Sequence, residues 1–285
     1  MSTGNRTTLD TLAAHLEELW GHFDTLYATL EPDGWAGKHG GDWTFADLPY
    51  HMAYCDRDAV ARPIEMGRAW PASEQTLCAN LAELDEWNAR KFAERPAGQT
   101  VAQSLAQMRA ARDAVRRVLT STLASDADLE QPAWFVVFRG WGPARGNLEW
   151  CRAHTWNELI QLRIHLQRET PVPSAAVTRA AIGFDLGLVS GVLNRELASQ
   201  IQFTAVMEFT DPGVEPWTIS VGGGAATSRE GRPERADLVM TQSAATFLKT
   251  ITGIQHPMVS IQQGELQVSD FVALGTFAQL FPLPA

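Results

Sequence analysis

Residues 151–166 read CRAHTWNELIQLRIHL, and this stretch predicts a long helix over residues 146–168. Within it, His154 and Glu158 are four residues apart. Four residues rotate an α-helix by about 400°, so both side chains leave the same face about 6 Å apart. An imidazole and a carboxylate held in this way can chelate one divalent cation. The pair therefore predicts part of a metal site on this helix.

The third ligand must come from another helix, and His51 is the natural candidate, in the segment WTFADLPYHMAYCDRDA. Two histidines and one carboxylate leave coordination positions open for water or substrate, which is typical of catalytic metal sites. An H-x-x-x-E pair also occurs by chance as a partly exposed ion pair, so the spacing alone leaves both interpretations open. Cys55, four residues after His51, could be a soft ligand, but burial as a small apolar residue is the favoured interpretation.

The first half of the chain is predicted to be a helical bundle. An i, i+3, i+4, i+7 stripe of apolar residues in the first helix ends at Pro32. Thr44 and Asp47 form a capping-box-like start for the second. The aromatic stretch PAWFVVFRGWG, residues 132–142, predicts a loop or short hairpin between the last two helices. The predicted helices span residues 7–31, 44–62, 73–94, 99–124 and 146–168.

The second half changes to the alternating pattern of strands. A proline-containing linker, ETPVPS at residues 169–174, separates a first domain, residues 1–170, from a second, residues 171–285. An α+β module of about 110 residues is predicted there. Its predicted elements are a helix over 174–198, strands over 201–210, 216–224 and 235–242, a helix near 243–252, a strand pair around 258–268 turning at Gln263 and Gly264, and a last helix capped by Ser269.

Composition excludes several classes of partner. The formal net charge of −10 argues against nucleic acid and against an anionic membrane surface. The start of the chain has no apolar signal-peptide region, and no stretch approaches the length of a transmembrane helix. Three cysteines in 285 residues do not make a disulfide framework, and they fit a reducing cytoplasm. A cytoplasmic protein without membrane insertion is therefore predicted.

The segment WTFADLPYH, Trp43 to His51, resembles the DinB/YfiT-like superfamily, in which a tryptophan begins the second helix and the first metal histidine follows eight residues later. The run AHTWNE resembles that family's H-x-x-x-H ligand pair, with Glu158 in place of the second histidine. The resemblance covers residues 7–168. It implies a four-helix bundle that binds one divalent metal through His51, His154 and Glu158.

The second half resembles the sterol carrier protein fold, on the segments 236–253, ADLVMTQSAATFLKTITG, and 264–281, GELQVSDFVALGTFAQLF. Carriers of this fold hold a hydrophobic ligand in a tunnel. In two-domain bacterial relatives the same fold can instead shape or cover the active site of the bundle. A fold assigns no function by itself.

The bundle resemblance implies a thiol-dependent S-transferase or isomerase, as in the mycothiol-dependent maleylpyruvate isomerases. A low-molecular-weight thiol would be the cosubstrate, and zinc is the metal favoured by the ligand types, with nickel, iron and manganese as further choices. Arg152 and Arg163 flank the ligand pair and suit a carboxylate substrate, although salt bridges to neighbouring acidic helices are the favoured interpretation. Trp156 is a candidate for the wall of the substrate pocket, with core packing as its alternative.

Two other functions fit the same sequence. In the first, the second domain carries a hydrophobic ligand and the metal site is structural or vestigial. In the second, both halves are metal-free interaction modules. A homodimer is an assembly that the sequence permits. The small-molecule substrate itself is not encoded in any recognisable motif.

Overall fold

The structure is a computed structural model that describes residues 7–40, 43–137, 140–188 and 191–282. Contacts divide the chain into two compact units. The first comprises Met1–Thr155 and His165–Pro171, and the second comprises Trp156–Ile164 and Val172–Ala285. The domain boundary predicted after residue 170 stays a prediction. The first residues of the first predicted domain, 1–6, and the last residues of the second, 283–285, lie outside the described residues. Within the described ranges, no helix combines the length and the apolarity needed to cross a bilayer.

The first unit is mainly helical, as predicted. Two small antiparallel pairs, β1 with β2 and β3 with β4, accompany its helices. Its elements, in chain order, are α1 Leu9–Tyr27, β1 Lys38–Gly40, β2 Trp43–Thr44, α2 Leu48–Tyr54, α3 Arg62–Met66, α4 Leu81–Ala93, α5 Val101–Arg117, β3 Pro132–Phe135, β4 Gly140–Pro143 and α6 Ala144–His165, whose residues 156–164 group with the second unit.

Capping residues and apolar stripes explain the two long helices α1 and α5. The hydroxyl of Thr8 accepts a hydrogen bond from the backbone N–H of Thr11, and Thr100 and Gln103 form a reciprocal capping box. The apolar stripe of α1 is buried along the whole 19-residue helix, from Leu9 to Tyr27. The core positions predicted in residues 99–124 are buried at Met108, Val115, Val118 and Leu119, whereas Leu105 is half-buried.

The predicted second helix, residues 44–62, is instead three consecutive segments. Asp47 accepts hydrogen bonds from both the backbone N–H and the hydroxyl of Thr44, at 2.8 and 2.7 Å, which closes a turn before α2 begins at Leu48. A π-helical segment, Cys55–Ala61, then separates α2 from α3. Such wide turns are rare and are found most often at functional sites.

Of the loop or short hairpin predicted over residues 132–142, β3 and β4 pair as antiparallel strands, and Phe138 and Arg139 lie outside the described residues. The buried amide of Asn147 in α6 ties this hairpin to the π-helical segment. Its Nδ2 donates to the carbonyl of Ala59 and to that of Trp134, both at 2.8 Å. Because buried carbonyls are costly to leave unpaired, this amide fixes the path of the chain after Cys55.

The second unit contains a five-stranded sheet and helices, which agrees with the predicted α+β class. The strand order is β7-β6-β5-β8-β9; β5 and β8 are parallel and the other neighbours are antiparallel. Its elements are α7 Ala175–Gly187, α8 Arg195–Gln200, β5 Phe203–Phe209, β6 Trp217–Gly222, β7 Ala225–Glu230, β8 Leu238–Gln242, α9 Ala244–Ile251, α10 Pro257–Gln262, β9 Leu266–Val268 and α11 Phe271–Leu280.

The strand pair predicted around residues 258–268 is wrong. Residues Pro257–Gln262 form the short helix α10, with Pro257 at its first turn and the ring of His256 accepting a hydrogen bond from the N–H of Met258. Proline is preorganised for that position, which favours the helix. Within residues 258–268, β9 is the only strand, and it pairs with β8.

Two other boundaries in the second unit differ from the prediction. The helix predicted over 174–198 is two helices, because Asn194 caps a new one by accepting a hydrogen bond from the N–H of Leu197. The last helix is capped by Asp270 rather than Ser269, through a bond from the N–H of Ala273. The strand β7 lies between the strands predicted over 216–224 and 235–242, where no strand was predicted.

Candidate metal centre

Three potential ligands converge in the first unit. One ligand atom from each of His51, Cys55 and His154 lies within 4.8 Å of the others. His51 and Cys55 come from α2 and the start of the π-helical segment, and His154 comes from α6. The two Nε2 atoms of the histidines are 2.9 Å apart, and the Cys55 Sγ lies 3.8 Å from the His51 Nε2. The structure therefore brings together the two histidines that the sequence predicted, with a cysteine beside them.

These separations are close to those that a tetrahedral zinc ion imposes. With bonds of about 2.0 Å to nitrogen and about 2.3 Å to sulfur, tetrahedral geometry places two nitrogens about 3.3 Å apart and a nitrogen about 3.5 Å from a sulfur. Modest side-chain movement brings the observed 2.9 and 3.8 Å to these values. The donor set, two imidazoles and one thiolate, is also one that zinc prefers. The residues thus fit a divalent metal with at least one coordination position open.

A chain of hydrogen bonds behind His51 fixes which ring nitrogen carries the proton. The hydroxyl of Tyr54 donates to the Oδ1 of Asn88 at 2.9 Å and lies 2.6 Å from the Nδ1 of His51. Since the Tyr54 proton is committed to Asn88, the Nδ1 of His51 must be the donor in the second bond. The neutral ring then presents a lone pair at Nε2, the atom that faces His154. Metal-binding histidines are commonly oriented in this way.

Aromatic rings hold both histidines in place. The ring of Trp43 packs against His51 with centroids 4.7 Å apart, and Trp150 stacks on His154 at 4.7 Å with an interplanar angle of 12°. His51 is only 4% exposed, and His154 is half-buried. The tryptophan that begins the WTFADLPYH segment therefore contacts the histidine that ends it. Restricted ring rotation lowers the entropic cost of binding a metal.

Replacing Tyr54 with phenylalanine is expected to lower the affinity for Zn²⁺ by about 10-fold, because removing the partner of a ligating histidine typically costs 10–100-fold. The ring, which is 1% exposed, keeps its packing. A competition titration against a zinc chelator measures the effect. Tyr50→Phe is the matched control, because the Tyr50 hydroxyl bonds the carbonyl of Lys91 instead. Equal affinities for the Tyr54→Phe and Tyr50→Phe variants would contradict the proposed role of the Tyr54 hydroxyl.

Next to the ligands lies a buried carboxyl and thiol pair. The Cys151 thiol donates to the Oδ1 of Asp56 at 3.4 Å, and both residues are at most 1% exposed. Burial raises the pKa of Asp56 to about 6, against the opposing effect of the Arg112 guanidinium. Burial, together with the neighbouring Asp56, raises the pKa of the Cys151 thiol well above its usual range. Cys151 is therefore an unreactive thiol at neutral pH.

The raised pKa of Asp56 predicts an unusual dependence of stability on pH. The folded state holds this proton up to about pH 6, whereas the unfolded carboxyl loses it near its ordinary pKa of 3.8. The contribution of Asp56 is therefore fully present well below pH 4 and is lost as the pH rises through about 6, so that between pH 4 and pH 6 it falls by about 2 kcal/mol. Asp56→Asn removes it. Urea unfolding at both pH values should show the difference in free energy of unfolding, wild type minus variant, falling by about that amount.

Asp85 on α4 supplies the control for this measurement, because Asp85→Asn removes an exposed carboxyl. The Asp85→Asn difference from wild type should stay within about 0.5 kcal/mol between the same pH values. A pH-independent difference between wild type and Asp56→Asn would show that Asp56 titrates as an ordinary carboxyl.

The other predicted site residues are buried to different degrees. Glu158 is 9% exposed on α6, one turn after His154, and its role as a ligand stays a prediction. Arg152 is 3% exposed, and Trp156 is fully buried, which suits core packing. Arg163 is half-buried, and burial lowers the pKa of its guanidinium. Substrate contacts by Arg152, Trp156 and Arg163 stay predictions.

Cys55 is the member of the cluster that the sequence argument ranked as a core residue. It is 1% exposed, so its burial agrees with that interpretation, yet its Sγ lies beside both ring nitrogens of His51. The H-x-x-x-C spacing of His51 and Cys55 is the same i, i+4 relation that identified His154 and Glu158. This spacing already allowed Cys55 as a soft ligand, but a small apolar residue was the favoured interpretation there.

No protein-family model matches the chain, and no curated protein matches it. Among solved structures, the mycothiol-dependent maleylpyruvate isomerase is similar with a TM-score of 0.53 and 13% identity, over 100% of this chain and 99% of that one. A point mutant of that isomerase matches with the same TM-score, 12% identity and the same coverage. At these identities the likeness concerns the fold.

A sec-alkylsulfatase, Pisa1 from Pseudomonas sp., is similar at 18% identity with a TM-score of 0.34. The match covers 68% of this chain, which spans 32% of the length of that sulfatase. A TM-score this low carries no argument about the present chain.

Proposed function

We propose that the chain is a divalent-metal protein that acts with a low-molecular-weight thiol as an S-transferase or isomerase on a small electrophilic substrate. The observation that carries this proposal is the convergence of His51, Cys55 and His154 within 4.8 Å. The full-length likeness to a mycothiol-dependent isomerase supports it. A bound zinc would supply Lewis acidity, which lowers the pKa of a thiol that reaches an open coordination position.

The residues of the chain have distinct parts in this proposal. His51 and His154 would hold the metal through Nε2, and Cys55 or Glu158 would complete the set. Tyr54 and Asn88 keep the proton of His51 on Nδ1, away from the metal side. The rings of Trp43 and Trp150 exclude water from one side of each imidazole, which strengthens electrostatic interactions there.

An activity assay tests the proposal directly. Zinc-loaded protein is incubated with mycothiol and maleylpyruvate, and with mycothiol and other small electrophiles, while loss of the electrophile is followed spectroscopically. The expected result is turnover that requires both zinc and thiol and that is lost in His154→Ala. Turnover no higher than in that variant, with every electrophile, would overturn the enzymatic proposal.

One feature of the second unit favours the alternative of a carrier. Helix α11, FVALGTFAQL, exposes Phe271 and Val272 at 61% and 82%. Apolar side chains this exposed often mark contact with a ligand or another molecule. If the second domain carries a hydrophobic ligand, native mass spectrometry should show a co-purified lipid that is lost in the doubly polar variant Phe271→Ser, Val272→Ser. The same spectra report whether the protein is a homodimer.

A further inference from the structure

A cavity of about 220 Å³ opens in the first unit, and none of the three potential metal ligands lines it. We call it the indole pocket, because the rings of Trp70, Trp87 and Trp134 line it. At about 30 Å³ for each water in the liquid, its volume equals about seven waters. A molecule of roughly that number of heavy atoms would fill it. Nothing in the proposed thiol chemistry uses this cavity.

The walls of the indole pocket are fixed by internal contacts. The indole N–H of Trp70 donates to the carbonyl of Glu74 at 3.2 Å, and that of Trp134 donates to the carbonyl of Thr76 at 2.8 Å. The ring of Trp87 packs edge-to-face on Tyr54, with centroids 5.4 Å apart. Rigid aromatic walls reduce the ordering cost of binding and favour a flat apolar body.

Two of the three cationic side chains that line the pocket are already neutralised. Lys91 lies 3.2 Å from a carboxylate oxygen of Asp58, which is itself buried, and the Arg62 guanidinium lies 3.0 Å from a carboxylate oxygen of Glu74. The Arg62 guanidinium also stacks over the ring of Trp70, 5.2 Å from its centroid. These ion pairs leave little net attraction for a further anion at Lys91 and Arg62.

The side chain of the third cation, Arg90, is exposed and forms no ion pair or hydrogen bond with any residue that the structure describes. Its side chain nevertheless lines the pocket. It also lies close enough to the buried Cys78 for its charge to act on that thiol. A guanidinium pairs most strongly with a planar carboxylate, which can accept two parallel hydrogen bonds. The three carboxylates that line the pocket, those of Asp58, Glu74 and Glu94, are paired with Lys91 or Arg62, so Arg90 is the lining cation that an anion would contact.

We infer that the indole pocket is a binding site for a small, flat, monoanionic carboxylate, held by Arg90 at its carboxylate and by the three indole rings at its apolar part. The site is separate from the metal centre and does not depend on the proposed thiol chemistry. Benzoate, with nine heavy atoms, is a suitable probe for a cavity of this size.

Isothermal titration of metal-free, chelator-treated protein with benzoate tests the inference. Removing metal matters, because a carboxylate could otherwise bind the metal centre. We expect one site with a Kd of about 1 mM or lower. The neutral analogue benzamide should bind at least about 10-fold more weakly, because it lacks the charge that pairs with Arg90. Binding should persist in His51→Ala, so that failure of the metal proposal leaves this result unaffected.

Two variants identify the residues that carry the affinity. Arg90→Ala should weaken benzoate binding by at least about 10-fold, as expected for loss of a charge-assisted bidentate pair. The matched control is Arg109→Ala, which removes another exposed helical arginine, far from the lining residues in sequence. That control should change the Kd by less than about 2-fold. No benzoate binding by wild type, or equal binding by Arg90→Ala and wild type, would overturn the inference.

Discussion

Replacing His51 with alanine is expected to lower the affinity of the protein for Zn²⁺ by more than 100-fold. Loss of a partner behind a metal ligand already costs 10–100-fold, so loss of the ligand itself should cost more. His154→Ala should have the same effect, because the Nε2 atoms of both histidines face each other at 2.9 Å. Elemental analysis of the purified variants should find far less than one zinc per chain, and chelator competition gives the affinity.

Two controls separate loss of a ligand from loss of the fold. His22→Ala removes a histidine of α1 that pairs with Glu18, and it should keep stoichiometric zinc. His51→Gln fills most of the space of the buried imidazole, which limits the cavity left behind. Circular dichroism should show the wild-type helix content in both His51 variants. Retention of one tightly bound zinc by His51→Ala and by His154→Ala would refute the metal centre.

The two histidines could be predicted because a weak helical spacing and a family resemblance pointed to the same residues. His154 lies on a long helix, and His51 ends a segment in which Trp43 precedes it by eight residues. The structure explains that second signal, since the Trp43 ring packs on His51. The contact between α2 and α6 that joins the histidines is tertiary and had to be assumed. Ligands on one helix are visible in a sequence, whereas the choice among ligands across helices is not.

The π-helical segment shows what local patterns leave out. The capping-box-like start at Thr44 and Asp47 predicts one helix over residues 44–62, whereas the hydrogen bonding of Cys55–Ala61 gives a wider, π-helical turn. Asn147 contributes to this change from α6, almost a hundred residues away, by bonding the carbonyl of Ala59. Likewise, the strand pair predicted near 258–268 failed because proline and a capping histidine favour helix in PMVSIQ. Alternating apolar residues in so short a segment fit both structures.

Whether Cys55 or Glu158 is the third ligand decides which metal the site prefers. Cys55→Ser is expected to lower the Zn²⁺ affinity by more than about 100-fold, because a thiolate is a far better zinc ligand than a hydroxyl. The Cys55 Sγ, 3.8 Å from the Nε2 of His51, is already near the separation that zinc requires. In the cobalt-substituted protein, the near-ultraviolet charge-transfer band of a cobalt thiolate should be present in wild type and absent in Cys55→Ser.

Cys151→Ser serves as the matched cysteine control, because the Cys151 thiol bonds Asp56 and its raised pKa keeps it protonated. The cobalt–thiolate band and the Zn²⁺ affinity should both persist in this variant.

Glu158→Gln tests the ligand set predicted from the sequence. A histidine, histidine, glutamate site would lose its metal in Glu158→Gln, show no thiolate band, and accept manganese or iron readily. A site with Cys55 should instead favour zinc over manganese, because a soft thiolate binds manganese poorly. If Cys55 is a ligand, both the cobalt–thiolate band and the preference for zinc over manganese depend on it, so the two measurements must agree.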